Sequence, residues 1–204
     1  MKKLFVTFML MLMLFIGCTV NHNRQPNPSI STSSVAILPD ESIMFSGKVY
    51  EDTYREFVRW TSDNKKHYTI YLNTFGGDAF ATIGILHRIN ELQEQGVKFT
   101  MICQTKALSA GSYIFMMGDE RIMYTGTSLM WHTVRGQFKK KGKAWSTEKG
   151  IVITQLDNVV VGYFEKRFPH IDKALIYEWF WNTDTTYMGA TEALLHGIAT
   201  DVVY

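Results

Sequence analysis

The chain has 204 residues, 46% hydrophobic and 20% charged, which is enough for one globular domain with a sizeable core plus whatever the termini add. Its 21 Lys and Arg against 19 Asp and Glu give a formal charge of +2, and no basic stripe alternates with aromatics, so a nucleic-acid partner is excluded. The single basic run, KKKGK at 139–143, reads as a solvated loop.

The first 18 residues, MKKLFVTFMLMLMLFIGC, place Lys2 and Lys3 ahead of an apolar run from Leu4 to Ile16 that only Thr7 interrupts. A basic start, an apolar stretch of this length and a small residue at its end form a secretory signal over 1–17. The run is short of the about 20 residues that span a bilayer. Gly17 directly before Cys18 resembles the lipobox of bacterial lipoproteins, with Phe15 where leucine is commoner. That resemblance implies acylation of Cys18 and membrane attachment through lipid, at roughly 0.8 kcal/mol per buried methylene. Residues 19–34, TVNHNRQPNPSISTSS, are polar and proline-containing, as a flexible tether requires. Cys18 and Cys103 are the only two cysteines. With Cys18 taken by lipid, Cys103 is expected as a buried thiol, and no disulfide is available.

From residue 35 onward strands and helices alternate. SVAILP (34–39) and IMFSGKV (43–49) read as short strands, and 50–64 as a helix burying Tyr54, Phe57, Val58 and Trp60 on one face. HYTIYLN (67–73) is a β-branched and aromatic strand. Residues 78–96 keep apolar residues at helical spacing, with Asp78 at the start and Gly96 at the end. VKFTMIC (97–103) is the next strand and 109–117 the next helix. RIMYT and SLMWHTV are two more strands, and the remainder reads as helical over 146–168, 171–181 and 191–197. This order predicts an α/β domain with a largely parallel sheet and a helical C-terminal portion. In such sheets, sites gather where strands end and helices begin. Two such joins follow one another, NTFGGD (73–78) and KALSAG (106–111). The first offers glycine amides that a ligand can approach, the second a hydroxyl. By residue type alone, Ser109 is equally an N-cap or a nucleophile, and a Gly-Gly before a helix, as at Gly76-Gly77, is most often just a turn.

At these joins the chain resembles the ClpP-type serine peptidases of the ClpP/crotonase superfamily. Their Asn-Ser-Pro-Gly-Gly is similar to Asn73-Thr74-Phe75-Gly76-Gly77, with Phe75 in place of proline. Their Ile-Cys strand followed by Ala-Ala-Ser-Met-Gly-Ala is similar to Ile102-Cys103 and then Ala107-Leu108-Ser109-Ala110-Gly111-Ser112. Their Met-Ile-His is similar to Met130-Trp131-His132, 23 residues after Ser109. Their Phe-Leu-Ser-Ala-Pro-Glu-Ala…Gly-Leu-Val-Asp is similar to Tyr187–Ala193 and Gly197–Asp201. The resemblance covers roughly 40–204. It implies a ClpP/crotonase-like α/β fold over 35–204, with Ser109 as nucleophile, His132 as general base, and an oxyanion hole of backbone amides at Gly76, Gly77 and Ala110. The family's aspartate falls at Thr185, and Asp184 lies one residue earlier. A one-residue insertion in WNTDTTYM lets Asp184 reach the imidazole as the third member. Otherwise Thr185 or a backbone carbonyl orients His132.

The implied function is a serine peptidase acting on peptides or unfolded polypeptides at the cell envelope, facing the periplasm or the extracellular side. Relatives form rings, so a homo-oligomer is expected. Two alternatives stand beside it. One is a Ser-Lys protease resembling the signal peptide peptidase A family, with Lys141, Lys143 or Lys149 as base. The other is a catalytically inactive ClpP-like binding or scaffold module. An acyl-CoA crotonase is disfavoured by export, since that cofactor belongs to the cytosol. His22, His67, His87, His170 and His196 have no partner at recognisable spacing, and no His-Glu-x-x-His or Cys-x-x-Cys occurs, so neither metal nor cofactor is expected. The aromatics of LIYEWFWN (175–182) read as core or subunit contact.

Overall fold

Strict alternation of buried and less buried residues sets the longest strand. In β3 (His67–Gly77) Tyr68, Ile70, Leu72, Thr74 and Gly76 all turn inward. It pairs in parallel with β2 (Ile43–Val49) on one side and β4 (Lys98–Leu108) on the other. β1 (Val35–Ile37) adds antiparallel to β2. The computed structural model describes residues 35–134, 146–182 and 185–204, with side chains left out at 146–151 and 182. The leader over 1–17, Cys18, the tether to residue 34, Lys141, Lys143 and Asp184 lie outside the described residues, as does the side chain of Lys149.

Among the described residues the sheet has eight strands, and β4 has two neighbours on its far side. Its first half, Thr100 to Cys103, pairs in parallel with β5 (Glu120–Tyr124). Its second half, Lys106 to Leu108, pairs in parallel with β6 (Ser128–Trp131). Between the halves Gln104 and Thr105 are skipped in the register with β3, which passes from Leu72↔Cys103 to Asn73↔Lys106, and the Thr105 hydroxyl donates instead to the Asn73 side chain at 2.5 Å. Such irregularities bend a strand and re-aim the residues beyond them. β3 has one of its own: Gly47 pairs with Thr74 and Lys48 with Gly76, so Phe75 is skipped and stands 62% exposed.

Helices α1 (Glu51–Trp60) and α2 (Ala79–Glu94) pack on each other, and α2 also meets α3 (Ala110–Met116) and α4 (Ser146–Arg167). Every residue of α3 is buried, so the helix runs through the core against β3, β4 and β6. One chain of aromatic contacts links Phe45, Phe57, Trp60, Tyr68 and Phe99. A second gathers Trp131, Phe164, Phe168, Trp179 and Phe180. Each fully buried ring of this size contributes about 1.5–3 kcal/mol from burial.

The expected α/β class is what the chain adopts. Three local expectations are corrected. β3 and β4 do not stop at Asn73 and Cys103 but run to Gly77 and Leu108, because inward alternation continues through Thr74, Gly76 and Ala107. The C-terminal portion is not all helical. After α5 (Lys173–Tyr177) and a π-helical turn (Glu178–Asn182), β7 (Thr186–Gly189) pairs antiparallel with β6. Helix α6 (Ala190–Leu195) then leads to β8 (Asp201–Val203), which pairs in parallel with β5. Strands of three or four residues carry too little periodicity to stand out. Cys103 is a buried free thiol as expected, and burial pushes it up to about 11, far from a reactive thiolate.

Candidate active site

The end of β4 delivers the chain to Ser109, which adopts φ +53°, ψ −118° before α3 begins. That is the first central position of a type II′ turn, a conformation glycine favours. For serine it costs on the order of 1–3 kcal/mol and survives only because its surroundings impose it. Its N–H donates to the Met130 carbonyl at 2.8 Å. The Ser112 hydroxyl contacts the carbonyls of Ser109 and Met130, 2.7 Å from each. β4, β6 and α3 are thus tied together at Ser109. The side chain makes no capping hydrogen bond, although it occupies the N-cap position.

Ser109, His132, Gly76, Gly77 and Ala110 all line one cavity of about 760 Å³. Four of these five come from the two strand-to-helix joins, and the fifth from just past the end of β6. Gly76 has φ +91°, and a Cβ there would lie 2.6 Å from the Ser109 Cβ and 2.9 Å from the Ala110 nitrogen. Only glycine lets the two joins approach this closely. A Cβ on Gly77 would lie 2.0 Å from the Val49 carbonyl oxygen, so this glycine allows β2 and β3 to close up. The Ala110 N–H sits in the first turn of α3, where no preceding carbonyl can accept it. The Gly76 N–H is occupied: it donates to the Thr74 hydroxyl at 3.0 Å, and that hydroxyl donates to the Gly47 carbonyl at 2.7 Å. Serving an oxyanion would require Gly76 to share or exchange this bond.

His132 lies one residue beyond β6. Its main chain is gripped by the buried Tyr113, whose hydroxyl donates to the His132 carbonyl and lies 3.4 Å from the His132 nitrogen. Burial and the nearby Asp157 charge raise the Tyr113 phenol well above its ordinary value, with the hydrogen bond to His132 opposing, so the hydroxyl stays protonated. The ring nitrogen Nδ1 lies 2.5 Å from the Thr133 carbonyl oxygen. With Nδ1–H donating there, Nε2 is the nitrogen left to accept a proton. Among the described residues no hydrogen bond joins Ser109 Oγ to the ring. Such contacts commonly tighten only when substrate is bound.

A residue absent from the sequence expectation stands close by. Asp157 on α4 is 8% exposed, and its Oδ1 accepts the Val134 N–H at 2.6 Å. Burial holds its carboxyl above the ordinary aspartate range, opposed by the Val134 amide and by the charge of His132. Its signal in the sequence is a carboxylate on a buried helix face, three, four and seven residues before Val160, Val161 and Phe164. The cavity's remaining walls are mostly apolar, including Ile83, Val152, Leu156 and Val160, with exposed Tyr50, Phe75 and Phe80 at its mouth. Lys106 sits 4.2 Å over the Phe75 ring, which steadies that exposed aromatic.

None of the curated proteins compared with this chain matches it. The family model of Clp protease matches residues 29–204, nearly the whole span from the tether to the C-terminus. With that match laid over an α/β sheet that brings both motif-bearing joins to one cavity, the chain belongs to the Clp protease family of peptidases.

Proposed function

We propose that this protein is a serine peptidase in which Ser109 is the nucleophile and His132 the general base. The observation that carries the reading is the Ser109 backbone: a serine forced into a glycine conformation, its hydroxyl withheld from capping, in the same cavity as a histidine whose Nδ1 is already committed. His132 Nε2 takes the Ser109 proton as Oγ attacks a peptide carbonyl. The Ala110 amide, with Gly76 released from Thr74, meets the oxyanion. The imidazolium returns its proton to the leaving amine, and a water activated by Nε2 then cleaves the acyl-enzyme. Losing one oxyanion donor of this kind costs about 2.7–4 kcal/mol of barrier. The apolar walls and aromatic mouth suit extended peptides or unfolded chains with large side chains. Members of this family are generally oligomeric, and a homo-oligomer is the working assembly.

The lipobox-like Gly17-Cys18 supports a lipid-anchored, exported form at the cell envelope. Its check is an intact mass of the membrane-extracted protein. Loss of residues 1–17 with acyl mass on Cys18 is expected, and an unmodified chain beginning at Met1 overturns it.

The catalytic reading is tested by labelling the full-length protein with a fluorophosphonate. Wild type is expected to label, and Ser109→Ala and His132→Ala to lose it. A folded, assembled wild type that takes no label sinks the peptidase reading and leaves a lipid-tethered binding module.

A further inference from the structure

We propose that the acid of this site is Asp157, acting on His132 through the peptide group that joins Thr133 to Val134. The inference rests on the reading of Ser109 and His132 as the reacting pair. One rigid amide carries both contacts: its carbonyl, on Thr133, accepts from His132 Nδ1 at 2.5 Å, and its N–H, on Val134, donates to Asp157 Oδ1 at 2.6 Å. Hydrogen bonds in series polarise one another. A carboxylate pulling on the N–H end makes the carbonyl end a stronger acceptor, which stabilises the imidazolium formed when Ser109 gives up its proton. Asp157 is therefore a positioning residue, since it never touches the imidazole through this bridge.

Two further observations favour this. A carboxylate at a buried position costs free energy unless it is paired, and among the described residues no Lys or Arg forms an ion pair with Asp157. The cavity that His132 faces also holds Tyr113 from α3, Asp78 at the start of α2, and Lys48 and Tyr50 from the end of β2. Among the described residues the one buried carboxylate is Asp157, on α4, and the charge of His132 acts on it. The bridge also accounts for a chain that has threonine where the family's aspartate is expected: a main-chain acceptor backed by a carboxylate does the work of a direct one.

The test is the titration of His132, followed by NMR of selectively labelled histidine in the full-length Ser109→Ala protein and assigned by comparison with His132→Gln. Asp157→Asn keeps an oxygen for the Val134 N–H but removes the charge, so the His132 titration is expected to move to lower pH than in the parent. Asp157→Glu is expected to stay near the parent. In the otherwise wild-type enzyme, the acid limb of the kcat/KM profile should move to lower pH with Asp157→Asn, and kcat should fall about 10- to 100-fold. That is less than the ~10⁴ of a carboxylate in direct contact with the ring. A purely structural role would lower activity and leave the titration in place. If Asp157→Asn does not fold, the Val134 amide proton of the parent serves instead: a resonance indifferent to His132 protonation overturns the bridge. So does an unmoved His132 in folded Asp157→Asn, or a shift that only Asp184→Asn produces. A wild type without peptidase activity would sink the catalytic reading while the titration still decides the bridge.

Discussion

The two strand-to-helix joins, β3 to α2 and β4 to α3, occupy neighbouring places in the sheet and solve the same problem in opposite ways. At the first, Asp78 takes an ordinary extended backbone, φ −68°, and its carboxylate accepts the Ala81 N–H at 2.8 Å. At the second, Ser109 is of a residue type equally favoured for capping, yet it leaves the helix uncapped and holds φ +53°. One join spends its polar side chain on stability. The other withholds it at a cost in backbone strain, and the hydroxyl kept out of the cap is the one that lines the cavity. Residue type did not separate these two outcomes, but the backbone does.

The largest blow to this contrast should come from Gly76→Ala. A Cβ there meets the Ser109 Cβ at 2.6 Å and the Leu108 carbonyl at 2.7 Å, on a backbone at φ +91°. Loss of fluorophosphonate labelling is expected, with a destabilisation on the order of 4 kcal/mol, at the severe end for single substitutions. Retained labelling with an unchanged denaturation midpoint would show that the two joins need not touch. Next, Ser109→Gly should raise stability by about 1 kcal/mol as the strain is relieved, whereas Asp78→Ala should lower it by about 1 kcal/mol as the cap is lost. Urea denaturation of the pair is the check, and the same sign for both would erase the distinction. The smallest effect concerns pH. The Asp157 carboxyl is raised on folding from the ordinary 3.8, so the native state holds this proton more tightly than the unfolded chain. Its contribution is most favourable below about 3.8 and is lost as pH rises through the raised native value. Asp157→Asn should accordingly gain on wild type across that window, in thermal melts from pH 3.5 upward. A constant difference between the two melts over that range would contradict it.

Much of this molecule can be read from its residues. The helical spacing over 79–94 and the alternation over 67–73 need no tertiary information, since each buries one face of a regular element. The serine, the histidine and the glycine loop stand out because they lie at element boundaries in a telling order. What could not be read depends on distant partners. β7 and β8 exist because β6 and β5 present open edges to them, and their own three or four residues say little. Ser109's conformation is held by Met130 and Gly76, each from a distant stretch of chain, with Ser112 of the following helix tied to the same Met130 carbonyl. Asp157 was hidden differently. It lies 25 residues beyond His132, inside an unremarkable helix, and reaches the site through the backbone of Val134, so no side-chain motif announces it.

That backbone contact bears on how the protein tolerates change. The oxygen that receives the His132 proton donor belongs to the main chain of residue 133, and every amino acid brings the same oxygen. No replacement of Thr133 can delete it, and nineteen of the twenty residues at position 134 supply the N–H that Asp157 holds, proline being the exception. A direct aspartate can be lost to one nucleotide change, whereas this acceptor is written into the polymer itself. On the proposed bridge, the work that a direct acid would do at the imidazole does not fall to position 185.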